Sequence, residues 1–175
     1  MRTLTDQLAQ YAAYHRDKRN IATHFFGIPM IALAIAMLLS RPAFGMLGLT
    51  LTPAIVLALP ILIYYFVLDR AYGAAMLLLN AAFLWVGYLV AQQATGVWLG
   101  WGIGLFVVGW ALQFLGHYWE GRKPAFVDDI IGLIIGPLFV VAEAGFAFGL
   151  REDLAREIER RAGPTLIRQK TAAAG

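Results

Sequence analysis

Apolar stretches long enough to cross a bilayer follow one another through most of this chain, at Ala22–Ser40, Thr52–Leu68, Tyr72–Gln92, Val97–Gly116 and Val127–Gly149. A hydrocarbon layer about 30 Å thick takes roughly 20 residues of helix. Backbone in lipid must also satisfy its own hydrogen bonds, which leaves helices as the form such segments take. Only 14% of the 175 residues are charged and 60% are hydrophobic, against about 25% and about 45–50% in soluble domains. There is too little charge to coat a globule. The expected fold is all-α: a polytopic helical membrane protein with four spans and a fifth hydrophobic segment broken at Gly136-Pro137. Residues 1–20 are read as an amphipathic helix, 21–150 as a transmembrane domain and 151–175 as a polar cytoplasmic tail.

The beginning supports this division. Leu4, Leu8, Tyr11, Ala12 and His15 recur at helical spacing, as on a helix lying at a membrane surface. Met1–Asn20 is polar and has no short apolar core followed by a small-residue cleavage site, so the first apolar run is expected to be a retained anchor. Lys and Arg then set the orientation. Arg2, Arg16, Lys18 and Arg19 precede the first segment, Arg41 stands alone after it, and Arg70, Arg122 and Lys123 fall at alternate loops. That places the amino terminus inside. A straight fifth span would strand Arg151, Arg156, Arg160, Arg161, Arg168 and Lys170 outside. A re-entrant hairpin or two half-helices divided at Gly136-Pro137 keeps them inside.

Cysteine is absent, which excludes disulfides, thiolate metal sites and cysteine nucleophiles. Imidazole chemistry is limited to His15, His24 and His117. Four crossings return the chain to its starting side, so all three can lie at one depth. His15 and His24 are nine residues apart, about half a turn out of phase on a continuous helix. They converge only if the chain bends between them, and Asn20 is a candidate N-cap for a new helix there. Gln113 and His117, and His117 and Glu120, are spaced to share a helix face. Three neutral imidazoles on one face suit a first-row metal. Taken singly, each histidine also fits an ordinary interfacial position, and the basic residues fit topology signals. Gln113, Asn80 and Glu143 fit interhelical hydrogen bonding. Glu143 needs a partner at its depth, for which Arg122 or a metal site is available.

Two stretches carry a family likeness: Tyr14-His15-Arg16-Asp17-Lys18-Arg19-Asn20 with His24-Phe25-Phe26-Gly27-Ile28-Pro29, and Trp110-Ala111-Leu112-Gln113-Phe114-Leu115-Gly116-His117. Glu120-Gly121-Arg122-Lys123-Pro124-Ala125, Asp128 and the Gly136-Pro137 to Glu143 segment extend it. From about Tyr14 to Glu143 the chain resembles the 2-hydroxy fatty acid dioxygenase family of small membrane proteins. The resemblance implies Fe(II)-dependent α-oxidation, in which a 2-hydroxy fatty acid and O2 give an acid one carbon shorter and carbon dioxide. It implies His15, His24 and His117 as iron ligands. Three histidines on one face of octahedral iron leave room for a bidentate 2-hydroxy carboxylate and O2. Glu120 would then orient an imidazole or accept a proton, while Arg122 or Lys123 attracts the carboxylate. Two departures stand out: Trp119 where Phe is expected, and Asp129 where Asn is expected.

The expected partners are the 2-hydroxy acid, O2 and membrane lipid, with no nucleic acid. Composition rich in Ala, Leu, Gly and Arg points to a bacterial inner membrane, with the site on the cytoplasmic side. Two other classes fit parts of the pattern. A transport or binding protein would use Glu143 and the broken segment as a pathway. A zinc hydrolase would use three histidines and one open position, although no His-Glu-x-x-His is present.

Overall fold

The computed structural model describes residues 2–46, 48–124, 127 and 129–167. Ala125, Asp128 and the tail from Arg168 onward lie outside the described residues. Helix dominates: α1 (Leu4–Ala12), α2 (Lys18–Ser40), α3 (Pro53–Leu68), α4 (Arg70–Ala91), α5 (Thr95–Glu120), α6 (Ile131–Ala147) and α7 (Glu152–Ala162). A two-stranded antiparallel hairpin, β1 (Phe44–Met46) and β2 (Leu49–Leu51), fills the loop between α2 and α3.

Among the described residues three helices, α2, α4 and α5, are long and apolar enough to cross a membrane. The number rises to four if α6 and α7 count as one bent span. Such a set is compatible with a multi-pass membrane protein. Helix α3 has 16 residues and is the shorter apolar helix, below the length expected of a full crossing. The fifth hydrophobic segment does not divide where its sequence suggests. Helix α6 runs unbroken through Pro137, and the chain bends by 118° between Ala147 and Glu152 instead. Gly149 (φ 74°) and Arg151 (φ 57°) take left-handed backbone there, which ends one helix before the next begins. Proline costs a helix one hydrogen bond but need not stop it where neighbouring structure holds the turn.

Contacts divide the chain into two units, Gly27–Trp110 and a second made of Met1–Phe26 with Ala111–Gly175. Within Gly27–Trp110, Asp69 caps α4 by accepting hydrogen bonds from the amides of Ala71 and Tyr72. Gly73 lies where an added Cβ would meet Phe66 at 2.7 Å, so α3 and α4 approach closely beside their shared turn. Trp98 donates its indole N–H to the carbonyl of Met37 at 2.8 Å, and the Arg41 guanidinium stacks over the same ring at 4.6 Å. Outward faces are apolar, with Leu78, Ile63, Trp85 and Val107 all exposed.

The other unit holds the polar core. Thr3 and Asp6 form a capping box at the start of α1. Helix α1 ends at Ala12 and α2 begins at Lys18, so residues 13–17 make the bend that the two amino-terminal histidines require. Asp17 caps α2, its Oδ1 accepting from the amide of Arg19 at 2.9 Å. Asn20, the cap expected from the sequence, lies inside the helix and serves another purpose.

Close helix approach gives a direct check. A Cβ at Gly87 would stand 2.9 Å from the Ala36 carbonyl oxygen, whereas one at Gly100 meets nothing within 4 Å. Gly87→Ala should lower stability by about 1–3 kcal/mol through overpacking. Gly100→Ala should be neutral or slightly stabilising. Thermal unfolding in detergent reads both; equal shifts would contradict the packing.

Candidate metal centre

The bend between α1 and α2 is held from α5. Glu120, the last residue of that helix, accepts through Oε2 from the amides of Arg16 (2.9 Å) and Asp17 (2.8 Å) and from Asn20 Nδ2 (3.0 Å). Its side chain is buried, as are Asp17 and Asn20. Backbone N–H groups in an irregular bend have no helical partner, so a buried carboxylate receiving two of them fixes the bend's shape. Gly121 (φ 69°) turns the chain out of α5 immediately afterwards. Gly116 lets α2 and α5 touch, since a Cβ there would fall 2.3 Å from Thr23 Oγ1 and 2.4 Å from Asn20 Oδ1.

This bend brings His15, His24 and His117 together. Ring centroids lie 4.5 Å apart for His15 and His24, and 5.0 Å from each of these to His117. One nitrogen from each ring falls within 4.8 Å of the others, and all three residues are buried. His15 Nδ1 faces the carbonyl of Tyr11 at 2.7 Å, and His24 Nδ1 faces that of Asn20 at 2.9 Å. A carbonyl only accepts, so both Nδ1 atoms carry the proton and donate. Each Nε2 is then left with a lone pair. These two nitrogens lie 3.1 Å apart.

Two lone pairs at that distance repel unless a cation sits between them. At a nitrogen–metal bond of about 2.1 Å the separation subtends roughly 95°, between octahedral and tetrahedral values. The third imidazole presents a buried Nδ1 with no hydrogen-bond partner among the described residues. The donor set therefore fits a metal ion on the structure's own terms. Backbone carbonyls orienting two imidazoles through the far nitrogen are the usual support of histidine ligands.

The surroundings are apolar and fixed. Tyr11 stacks on His15 with centroids 4.2 Å apart and planes within 10°. Phe139 of α6 packs against both rings, at 5.0 Å from Tyr11 and 5.9 Å from His15. Burial, and next the proximity of His24, hold His15 well below the ordinary 6.5. It is therefore neutral at physiological pH.

Arg16 and Glu143 answer a question the sequence left open. Glu143 faces Arg16, Nη2 to Oε1 at 3.9 Å, rather than Arg122. Burial lowers the Arg16 guanidinium from its usual value, and Glu143 opposes that. Arg16 also donates to the carbonyls of Ala12, His15 and Gly163. Leu166 then pairs with the bend, its amide donating to the Arg16 carbonyl and its carbonyl accepting from Lys18. Arg122 is exposed and donates to the carbonyl of Ala13 at 2.8 Å, while Lys123 is exposed at the same end of α5. Asp129 pairs with Arg2 at 3.1 Å and lines a cleft with Gln7, Gln10, Tyr11 and Tyr14.

Spacing singled out the histidines and Glu120, and the family resemblance added Arg122 and Lys123. The spacing missed Tyr11 and Phe139, which looked like ordinary apolar positions, and Arg16, which looked like a topology signal. Tyr11 was findable, because it stands one turn before His15.

A helical protein with apolar spans and a buried triad of imidazoles is the class that fold and site define. The chain belongs to the Mpo1-like family, described as 2-hydroxy-palmitic acid dioxygenase Mpo1-like, whose model matches residues 1–148. A relative from Saccharomyces cerevisiae named 2-hydroxy-palmitic acid dioxygenase MPO1 is 28% identical over 161 residues, covering 89% of this chain and 87% of that protein. No solved structure matches the chain.

Two measurements check the geometry. Glu120→Ala orphans two buried amides and the Asn20 donor, and should cost about 2–4 kcal/mol in unfolding free energy. Glu120→Gln, which keeps an acceptor oxygen, should cost less. Chelator-treated protein should also lose stability in acid. With its folded pKa depressed, His15 contributes fully above about 6.5 and progressively less as pH falls below it. His15→Gln should flatten that slope between pH 7 and 5; an unchanged slope would place its origin elsewhere.

Proposed function

We propose that this protein is an Fe(II)-dependent dioxygenase that shortens 2-hydroxy fatty acids by one carbon. The observation that carries this reading is the pair of Nε2 lone pairs 3.1 Å apart beside a His117 Nδ1 with no hydrogen-bond partner among the described residues, in a chain of the Mpo1-like family. His15, His24 and His117 would hold the metal. Bound there, Fe(II) supplies the one-electron chemistry that lets triplet O2 react with a closed-shell acid.

The electron balance needs no second substrate. A 2-hydroxy acid and O2 give the shortened acid, carbon dioxide and water. C1 loses one electron and C2 loses three by formal oxidation state, matching the four that O2 takes. The bond between C1 and C2 breaks, C2 becomes the new carboxyl, and the remaining hydrogens leave as water.

Each residue has a physical task in this scheme. Arg122 and Lys123 give the end of α5 a positive rim that attracts a carboxylate. Tyr11 and Phe139 wall the centre with aromatic rings, keep water from His15 and fix its plane. Glu120 acts as a positioning residue, since its Oε2 is engaged by the bend that carries His15. Asp129, paired with Arg2 on the neighbouring cleft, adds negative charge and bears on substrate preference. Glu143 faces Arg16 at 3.9 Å, which supports a part in holding the bend.

In this reading residues 21–150 form the transmembrane catalytic domain, the 1–20 segment completes it with His15, and 151–175 is a polar cytoplasmic tail. The acyl chain lies among the spans, and the carboxylate meets the centre at the cytoplasmic face of a bacterial inner membrane. A lipid-embedded site suits a substrate whose long chain is already in the bilayer.

Purified protein should bind about one iron per chain and consume O2 only when a 2-hydroxy fatty acid is supplied, releasing carbon dioxide in equal amount. Chelation should abolish consumption and Fe(II) should restore it. His117→Ala should lower the rate at least about a hundredfold, the scale on which metal-site residues act. Full activity in that variant would refute the assignment.

A further inference from the structure

Gln113 is buried on α5, 6% exposed, and its Nε2 has no hydrogen-bond partner among the described residues. A buried amide N–H left unpaired costs about 1–3 kcal/mol, and such exceptions call for an explanation. Its place on the helix offers one. Gln113 stands one turn before His117 and on the same face. The glycines on either side of it along that face both meet α2. A Cβ at Gly109 would contact the carbonyl of Gly27 and Ile31, and one at Gly116 would contact Asn20 and Thr23. His24 lies on α2 between those two points, so Gln113 stands on the face of α5 that carries His117 and turns toward α2 at the level of His24.

We infer that Gln113 donates a hydrogen bond to the 2-hydroxyl oxygen of the substrate and thereby selects hydroxylated over unhydroxylated fatty acids. This rests on the dioxygenase reading above. The order of groups along α5 supports the choice of oxygen. Arg122 and Lys123 stand at the outer end, His117 follows, and Gln113 lies one turn further into the helix. A 2-hydroxy acid drawn in past the basic rim and seated at the imidazole cluster, with its chain among the spans, presents carboxyl, C2 and acyl chain in that same direction. Its C2 oxygen is then on the Gln113 side of the carboxylate, one helical turn from His117. A carboxamide suits the task because it donates at any physiological pH without bringing charge into a buried site. A site built to hydrogen-bond a substrate hydroxyl rejects the analogue that lacks it more strongly than an apolar pocket does.

The test compares binding of 2-hydroxyhexadecanoic and hexadecanoic acid to iron-loaded protein without O2, alongside iron content and unfolding temperature of the metal-free form. Wild type should prefer the hydroxy acid. Gln113→Met, of similar shape but without a donor, should lose about tenfold in affinity for the hydroxy acid, the scale of one hydrogen bond. Its affinity for the plain acid should stay within about twofold by the same arithmetic. Iron content should hold at the wild-type level, and the metal-free variant should unfold at the same or a higher temperature, because an unpaired buried group has gone. Gln113→Leu also removes the donor without adding charge and should lose the preference as well, so the result does not depend on one variant folding. Retained preference in either variant with normal iron content overturns the role of Gln113 and leaves the dioxygenase intact. Wild-type protein that holds no iron or shows no preference overturns the reading beneath it.

Discussion

A single carboxylate at the end of α5 fixes the geometry on which the rest depends. Glu120 receives two backbone amides from the Arg16–Asp17 bend and a side-chain amide from Asn20 of α2. Without the bend, His15 and His24 would project from opposite sides of one helix. With it, their Nε2 atoms meet at 3.1 Å. His117 is three residues before Glu120 on the same helix, so one turn of α5 supplies both an imidazole and the clamp that assembles the other two.

Polar groups in this protein are few and interlocked. Arg16 illustrates the principle: buried, it spends its donors on the carbonyls of Ala12, His15 and Gly163 and faces Glu143. A buried charge of this kind is tolerable only when its donors are nearly all met. The same network reaches the end of the described chain. Ile158 of α7 is buried, Arg161 pairs with Asp6 of α1, and Leu166 forms a parallel bridge to Asp17. These residues lie beyond the stretch matched by the family model, yet they brace the bend that presents His15.

Much of this was legible in the sequence because lipid imposes strict rules. Apolar length located α2, α4 and α5 to within a few residues, and three histidines at the ends of those runs had few places to go. What the sequence concealed was pairwise. Asn20 reads as a helix cap from its residue type, but its side chain turns to Glu120. Arg16 reads as a topology signal because basic residues crowd that end, and only packing shows that it faces Glu143. Gly136-Pro137 reads as a break, yet α6 passes through it and the chain turns at Gly149 and Arg151, where left-handed backbone is actually used. The hairpin between α2 and α3 has no strong alternation to announce it. Local pattern fixes helices well; which buried polar atom meets which depends on tertiary contacts that no spacing rule encodes.

The central claim is that three imidazoles converge on one metal ion. X-ray absorption at the iron edge of the Fe(II)-loaded protein examines it directly, because imidazole rings add characteristic outer-shell scattering. Ligation by His15, His24 and His117 predicts a nitrogen and oxygen first shell with the scattering of three imidazoles per iron, falling to two in the His24→Ala protein. Iron with no imidazole contribution, or an unchanged spectrum after that substitution, would contradict it.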